Sequence, residues 1–172
     1  SACLVGSEMC IRDRYVHRSI ADDFAKALGQ ALQTLKIGSP MDESVHFGPL
    51  ANKPHYDKML AFFARAQASN TVICGAKAHG DTGYFVEPTV ILANGTDDPF
   101  LHEETFGPIV CILPFDDEQH LVDLMNDSPY GLGASIWTNN LSKALSLIPK
   151  LEFGTVWVLS LIHISEPTRQ AE

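Results

Sequence analysis

The segment Glu103-Glu104-Thr105-Phe106-Gly107-Pro108 runs directly into the apolar stretch Ile109-Val110-Cys111-Ile112-Leu113. An uninterrupted apolar run of this length predicts a strand that is buried on both faces, which is typical of a parallel sheet. The Gly-Pro pair before it predicts a turn between two elements. The paired carboxylates, the aromatic residue and the Gly-Pro pair before this apolar run together form an unusual string.

Helices and strands are expected to alternate along the rest of the chain. Ser19 is a candidate N-cap for a helix that ends near residues 36–38, with Asp22 and Asp23 in its first turn. Hydrophobic spacing predicts further helices over 53–68, 117–126 and 141–148, a helical turn over 99–104, and strands over 71–75, 109–113, 133–137 and 154–158. Residues 84–92 read as extended chain, and Pro88 favours a sheet edge or a bend there. This order predicts an α/β domain with a largely parallel sheet covered by helices.

Composition argues against several classes of protein. The formal net charge is 12 − 21 = −9 without Lys/Arg clusters, which argues against a nucleic-acid-binding surface. No apolar run approaches the length needed to span a membrane. The seven histidines show no metal-ligand spacing. Cys74 and Cys111 each lie in an apolar run and are expected to be buried free thiols, which favours a reducing, cytoplasmic compartment.

Four strings carry a resemblance to a known family when they are taken together and in order. They are Phe85-Val86-Glu87-Pro88-Thr89, His102 to Pro108, Asn126 to Leu132, and Gly154-Thr155-Val156-Trp157-Val158. The set resembles the NAD(P)-dependent aldehyde dehydrogenase superfamily, and the sequence of the segment 134–145 is most similar to phenylacetaldehyde-type members. The resemblance covers residues 15–158 and implies part of a catalytic domain. A non-catalytic structural protein or binding module on the same fold is the alternative.

The resemblance implies an enzyme that oxidises an aldehyde to a carboxylic acid with NAD or NADP, usually as a homo-oligomer. It places Glu104 as the carboxylate that accepts hydrogen bonds from the ribose beside the nicotinamide, and Phe106 as a side chain packed near the nicotinamide. Glu103 is expected to be structural. The family's nucleophilic Cys would stand seven positions before Tyr15, where this chain has Glu8.

The two ends of the chain share an origin that protein physics does not explain. Codons can be chosen for Leu4 to Arg14 whose reverse complement encodes Leu159 to Arg169. Both strings resemble the translation of a transposase adapter used to prepare sequencing libraries. Residues 1–14 and 159–172 are therefore expected to be non-native read-through, which leaves 15–158 as the family segment.

Two cysteines are excluded as the catalytic nucleophile for the same reason. Cys3 and Cys10 fall in the first end segment and are out of register with the family's nucleophile. No catalytic residue is therefore assigned, because the nucleophile and the general base are expected upstream of Tyr15. The chain is expected to be inactive when it is expressed alone.

Overall fold

The computed structural model describes residues 4–7, 13–96, 98–103, 105–128 and 130–159, with the backbone alone at 4–7, 99 and 159. Its described part contains one seven-stranded sheet, in the order β3-β4-β5-β2-β1-β6-β7. The strands are β1 (Leu4–Ser7), β2 (Asp13–His17), β3 (Thr71–Cys74), β4 (Thr89–Leu92), β5 (Ile109–Phe115), β6 (Gly133–Trp137) and β7 (Thr155–Leu159).

The predicted parallel character of the sheet is confirmed. β5 pairs in parallel with both β2 and β4, and β6 pairs in parallel with β7. β1 is antiparallel to β2 and to β6, so these two neighbours point the same way. Five strands therefore share one direction, while β1 and β3 run against it.

Helices cover both faces of the sheet, as the alternating pattern predicts. They are α1 (Arg18–Gln33), α2 (Lys53–Ser69), α3 (Glu118–Asn126) and α4 (Leu141–Leu147), with short 3-10 helices at Pro99–Leu101 and Ile148–Lys150. α1 packs over β2, β4 and β5 through small residues such as Ala21 and Ala25. The other three helices contribute to a larger cluster on the opposite face, which includes Phe62, Leu121 and Leu147.

The start of α1 differs from the sequence expectation. His17 is the N-cap, and its ring Nδ1 accepts a hydrogen bond from the Ser19 amide, so Ser19 already lies inside the helix. Asp22 and Asp23 consequently fall beyond the first turn, and the helix ends at Gln33. Imidazole nitrogen accepts the bond that a hydroxyl or carboxylate normally accepts at this position, which a search for Ser, Thr, Asp or Asn misses.

Two further differences concern packing around α2 and β4. The sequence predicts an inward face made by Met59, Leu60, Phe63 and Ala66, and in α2 Phe62 is fully buried as well. Its ring packs edge-on against Phe100, with 4.4 Å between centroids, because the 3-10 helix covers that side of α2. Pro88 does not mark a sheet edge, since β4 begins directly after it at Thr89 and lies between β3 and β5.

Candidate functional site

The segment 102–108 lies at the edge of the sheet where the parallel strands begin. It connects the 3-10 helix to β5, whose first residue is Ile109. β2 pairs with β5 in parallel, with Asp13 opposite Cys111, so both strands begin at this same edge. Sites in open α/β sheets are expected at the carboxyl ends of strands. This candidate site lies at the opposite end.

Phe106 is presented outward on a constrained backbone. Its side chain is 78% exposed, although most large apolar side chains of a domain are buried. Its φ is 50°, in the left-handed region that non-glycine residues seldom adopt. Such a conformation costs on the order of 1–3 kcal/mol and persists only where neighbouring contacts hold it. The exposed ring and the unusual backbone together mark this residue as a candidate contact.

The neighbours of Phe106 supply those holding contacts. Thr105 is buried, and its carbonyl oxygen lies 3.3 Å from Nε2 of His55 on α2. A Cβ at Gly107 would lie 2.7 Å from Sδ and Cε of Met59, so the Met59 side chain on α2 packs closely against the backbone there. Asn52 caps α2 by accepting a bond from the His55 amide, which fixes the first turn of the helix.

Glu103 faces α2, in agreement with its expected structural role. Arg65 Nη2 donates a hydrogen bond to Glu103 Oε2 at 2.6 Å, and Lys58 Nζ lies 3.9 Å from Oε1. The Arg65 guanidinium carbon also lies 5.6 Å and 5.3 Å from the ring centroids of Phe62 and Phe100. The carboxylate therefore joins the segment 102–108 to α2 and does not point outward.

Several residues that the sequence singles out lie outside the described part of the chain. Glu104, the expected ribose contact, is one of them. Cys3, Cys10 and Glu8, the residue in register with the family's nucleophile, are the others. Their expected roles stay predictions. Cys74 and Cys111 are buried free thiols as expected, and burial raises the pKa of the Cys74 thiol.

A small cavity lies beside the candidate segment. Its volume is about 70 Å³, and its lining includes Tyr15, His102 and Leu113. A water molecule occupies about 30 Å³ and a ligand pocket usually about 300–1,000 Å³. The cavity is therefore too small for a nicotinamide ring, and a ligand that contacts Phe106 would lie against the open surface.

Sequence reasoning missed the contribution of α2 to this site. His55, Met59 and Arg65 contact residues 38 to 50 positions further along the chain, so no local motif joins them. Met59 lies about one turn after His55, and Arg65 lies more than one turn further along α2. The hydrophobic spacing of this helix predicts only its core-facing residues, and neither His55 nor Arg65 is among them.

Two features of the described residues bear on other functions. Across these residues no group of three or more His, Cys, Asp or Glu side chains is arranged to hold a metal ion. Among the same residues, no helix has both the length and the apolar character to cross a membrane.

The fold and the segment 102–108 define an α/β domain that carries a candidate site on a loop at one sheet edge. The chain belongs to the aldehyde dehydrogenase family, whose sequence model matches residues 7–169. This range extends past both boundaries expected from the end segments, and their placement stays a prediction.

Individual relatives agree with the family match. The phenylacetaldehyde dehydrogenase of Pseudomonas fluorescens is 38% identical over 159 residues, which are 91% of this chain and 31% of that protein. A chloroplastic betaine aldehyde dehydrogenase of Amaranthus hypochondriacus is 37% identical over 83% of this chain and 29% of its own length. The NAD+ complex of an aldehyde dehydrogenase from Bacillus cereus superposes with a TM-score of 0.81 at 33% identity, covering 86% of this chain and 30% of that one. The chain thus spans about 30% of the length of these relatives.

Proposed function

We propose that this chain forms the nicotinamide-side part of an NAD(P)-dependent aldehyde dehydrogenase, an enzyme that oxidises an aldehyde to a carboxylic acid. The observation that carries the proposal is the outward, left-handed placement of Phe106 on a segment anchored to α2. Family membership and the NAD+ complex of the Bacillus cereus relative support it. NAD and NADP are both compatible with the proposal.

Residue chemistry explains why this segment suits a dinucleotide. A carboxylate at position 104 can accept hydrogen bonds from two ribose hydroxyls at once, and charge-assisted bonds are the stronger kind. An exposed aromatic ring at position 106 offers an apolar surface to the neighbouring nicotinamide. The bound dinucleotide would supply the hydride acceptor, while these two residues would bind and orient it.

We also propose that the chain has no dehydrogenase activity by itself. A family member needs an activated thiol and a base for the hydrolytic water. Glu8 stands in register with the thiol, so the chain lacks the nucleophile at that position. Both groups are expected to precede the family segment in a complete enzyme.

The proposed boundaries leave 15–158 as the family segment and 1–14 and 159–172 as adapter read-through. The inverted codon relationship between the two ends supports this division. Sequencing the source DNA tests the division, and different codons without an inverted repeat would refute it.

The complete enzyme is proposed to be a cytoplasmic homo-oligomer that acts on a small aldehyde, without nucleic acid or membrane as a partner. Support comes from the buried free thiols and from the acidic balance of the chain. A membrane fraction or a nucleic-acid complex that retains the complete enzyme would contradict this placement.

Binding of half-cofactors tests the proposed function directly. Nicotinamide mononucleotide titrated into the 15N-labelled chain should shift the amide signals of residues 105–107, whereas adenosine monophosphate should not. Glu104→Gln and Phe106→Ala should each weaken the effect. Met41→Ala, at a side chain that is 90% exposed in another turn, is the matched control. Equal responses to both nucleotides, or no dependence on residues 104 and 106, would refute the proposal.

The inactivity is tested separately with aldehyde, NAD+ and the purified chain. We expect no NADH formation above that of the Glu104→Ala variant. Aldehyde-dependent NADH formation that this variant loses would show that the chain carries its own catalytic groups.

A further inference from the structure

We infer that Arg65 is a positioning residue, which with Glu103 holds residues 103 and 105–107 in the conformation that presents Phe106. The inference rests on the proposed function for its consequence in cofactor binding. Its structural content, the anchoring of the segment by Arg65, is independent of that function.

The geometry of Arg65 differs from that of an ordinary surface ion pair. Exposed pairs typically contribute little, because two long side chains lose rotamer freedom to form them. Here the guanidinium lies close to the rings of Phe62 and Phe100, which pack edge-on against each other. The planar group can stack on aromatic rings while its N–H bonds point at a carboxylate. The arginine is therefore oriented before it meets Glu103.

The bond to Glu103 lies next to the residues whose orientation matters. Glu103 directly precedes position 104, and Thr105 follows it with its carbonyl oxygen beside the His55 ring. Position 104 is thus flanked on both sides by residues held against α2. The close approach of Met59 to Gly107 adds a third point of contact along the same helix.

These anchors account for the conformation of Phe106. Its left-handed backbone and exposed ring are costly unless the surrounding chain holds them. Contacts at 103, 105 and 107 bracket the residue and leave its ring directed outward. Without the hydrogen bond from Arg65, the contact at Glu103 is lost, and the segment is expected to sample other conformations.

Two conservative substitutions distinguish the contribution of side-chain geometry in this pair from that of charge. Arg65→Lys keeps the positive charge but removes the planar group that stacks and hydrogen-bonds. Glu103→Gln keeps the shape of the acceptor and removes its charge. Asp57→Asn is the matched control, because Asp57 on the same helix accepts a 2.6 Å bond from Lys53. No contact between that pair and the segment 103–107 is among the described interactions of the chain.

The experiment measures backbone 15N order parameters at Thr105, Phe106 and Gly107 in the full chain, with thermal unfolding as the check on folding. The parent chain and Asp57→Asn should show values near about 0.85, and Arg65→Lys and Glu103→Gln should fall below about 0.6. Unchanged order parameters in both folded variants would overturn the inference. A double variant exchanges the two charges, as Arg65→Glu with Glu103→Arg, and so restores an opposite-charge pair. Its order parameters should recover part of the loss seen in the single variants.

Binding of nicotinamide mononucleotide separates this inference from the proposed function. If the competent population of the segment falls to about a tenth, the apparent dissociation constant should rise about tenfold in the two variants and stay constant in Asp57→Asn. A chain that binds no nucleotide, yet loses order in the variants, would contradict the proposed function and support the positioning role. A chain that binds nucleotide equally well in all forms, with constant order parameters, would contradict the positioning role alone.

Discussion

Replacement of Thr89 by Val removes one hydroxyl and should strongly destabilise the chain. Thr89 is fully buried, and its Oγ1 accepts a 2.8 Å bond from the Ala76 amide and donates a 2.9 Å bond to the Glu87 carbonyl. Val has nearly the same shape but neither donates nor accepts. The buried Ala76 amide would then lack an acceptor, at about 1–3 kcal/mol, and the second bond contributes about 0.5–1.5 kcal/mol. The expected loss in free energy of unfolding is about 2–4 kcal/mol.

Urea unfolding monitored by the fluorescence of Trp137 and Trp157 measures this loss. A decrease of this size corresponds to roughly 4–16 °C in melting temperature for a chain of this length. Thr89→Ser is the matched control, because it keeps both hydrogen bonds and loses one methyl group, at about 0.5–1.5 kcal/mol. If Thr89→Val is as stable as Thr89→Ser, the hydroxyl does not hold the connection after β3, and the reasoning fails.

Two further predictions concern a turn and a surface pair. Gly75→Ala should lower the free energy of unfolding by more than about 2 kcal/mol in chemical denaturation, because φ is 74° and the new Cβ would lie 2.3 Å from the Pro88 carbonyl oxygen. Gly80→Ala, with φ of 72° and open space around its Cβ, should cost less, and equal costs would refute the steric argument. The hydrogen bond from Arg18 lowers the pKa of Asp116 from 3.8, so the pair stabilises the fold above that value. The stability difference between the parent chain and Asp116→Asn should therefore shrink as the pH falls from about 6 through the lowered pKa, and a constant difference would contradict it.

The sequence predicts the layered architecture well because hydrophobic spacing is a local signal. The uniformly apolar Ile109–Leu113 predicts a central strand, and β5 is the strand between β2 and β4. The expected strand over 133–137 coincides with β6, and α2 begins at Lys53 as expected. In these segments the spacing of the apolar residues matches the helix or strand that the structure contains.

What the sequence misses depends on contacts between distant residues. The edge-on packing of Phe62 against Phe100 decides that Phe62 is buried, and no window around residue 62 contains residue 100. The His17 cap likewise escapes a search for the usual capping residues. The sequence does not predict the antiparallel β1 between β2 and β6, because its residues resemble adapter read-through.

The candidate site likewise has one part that the sequence predicts and another that only the structure reveals. The motif around Phe106 draws attention to the residue, but only the structure shows its exposure and its left-handed backbone. The contacts of Arg65 and His55 with this segment span 38 and 50 residues and leave no pattern in the chain. Glu104 lies outside the described residues, so its role rests on the family motif.

A chimera tests the central claim most directly. Residues 15–158 replace the matching segment of the Pseudomonas fluorescens phenylacetaldehyde dehydrogenase, whose remaining sequence is expected to supply the nucleophile and the general base. The chimera should oxidise phenylacetaldehyde with formation of NADH. Glu104→Gln should lower kcat/KM for NAD+ by about 10–100-fold, the equivalent of a charge-assisted hydrogen bond of about 1.5–3 kcal/mol. A folded, active chimera whose kcat/KM for NAD+ is unchanged by both Glu104→Gln and Phe106→Ala would contradict the assignment of this segment to the nicotinamide side of the cofactor.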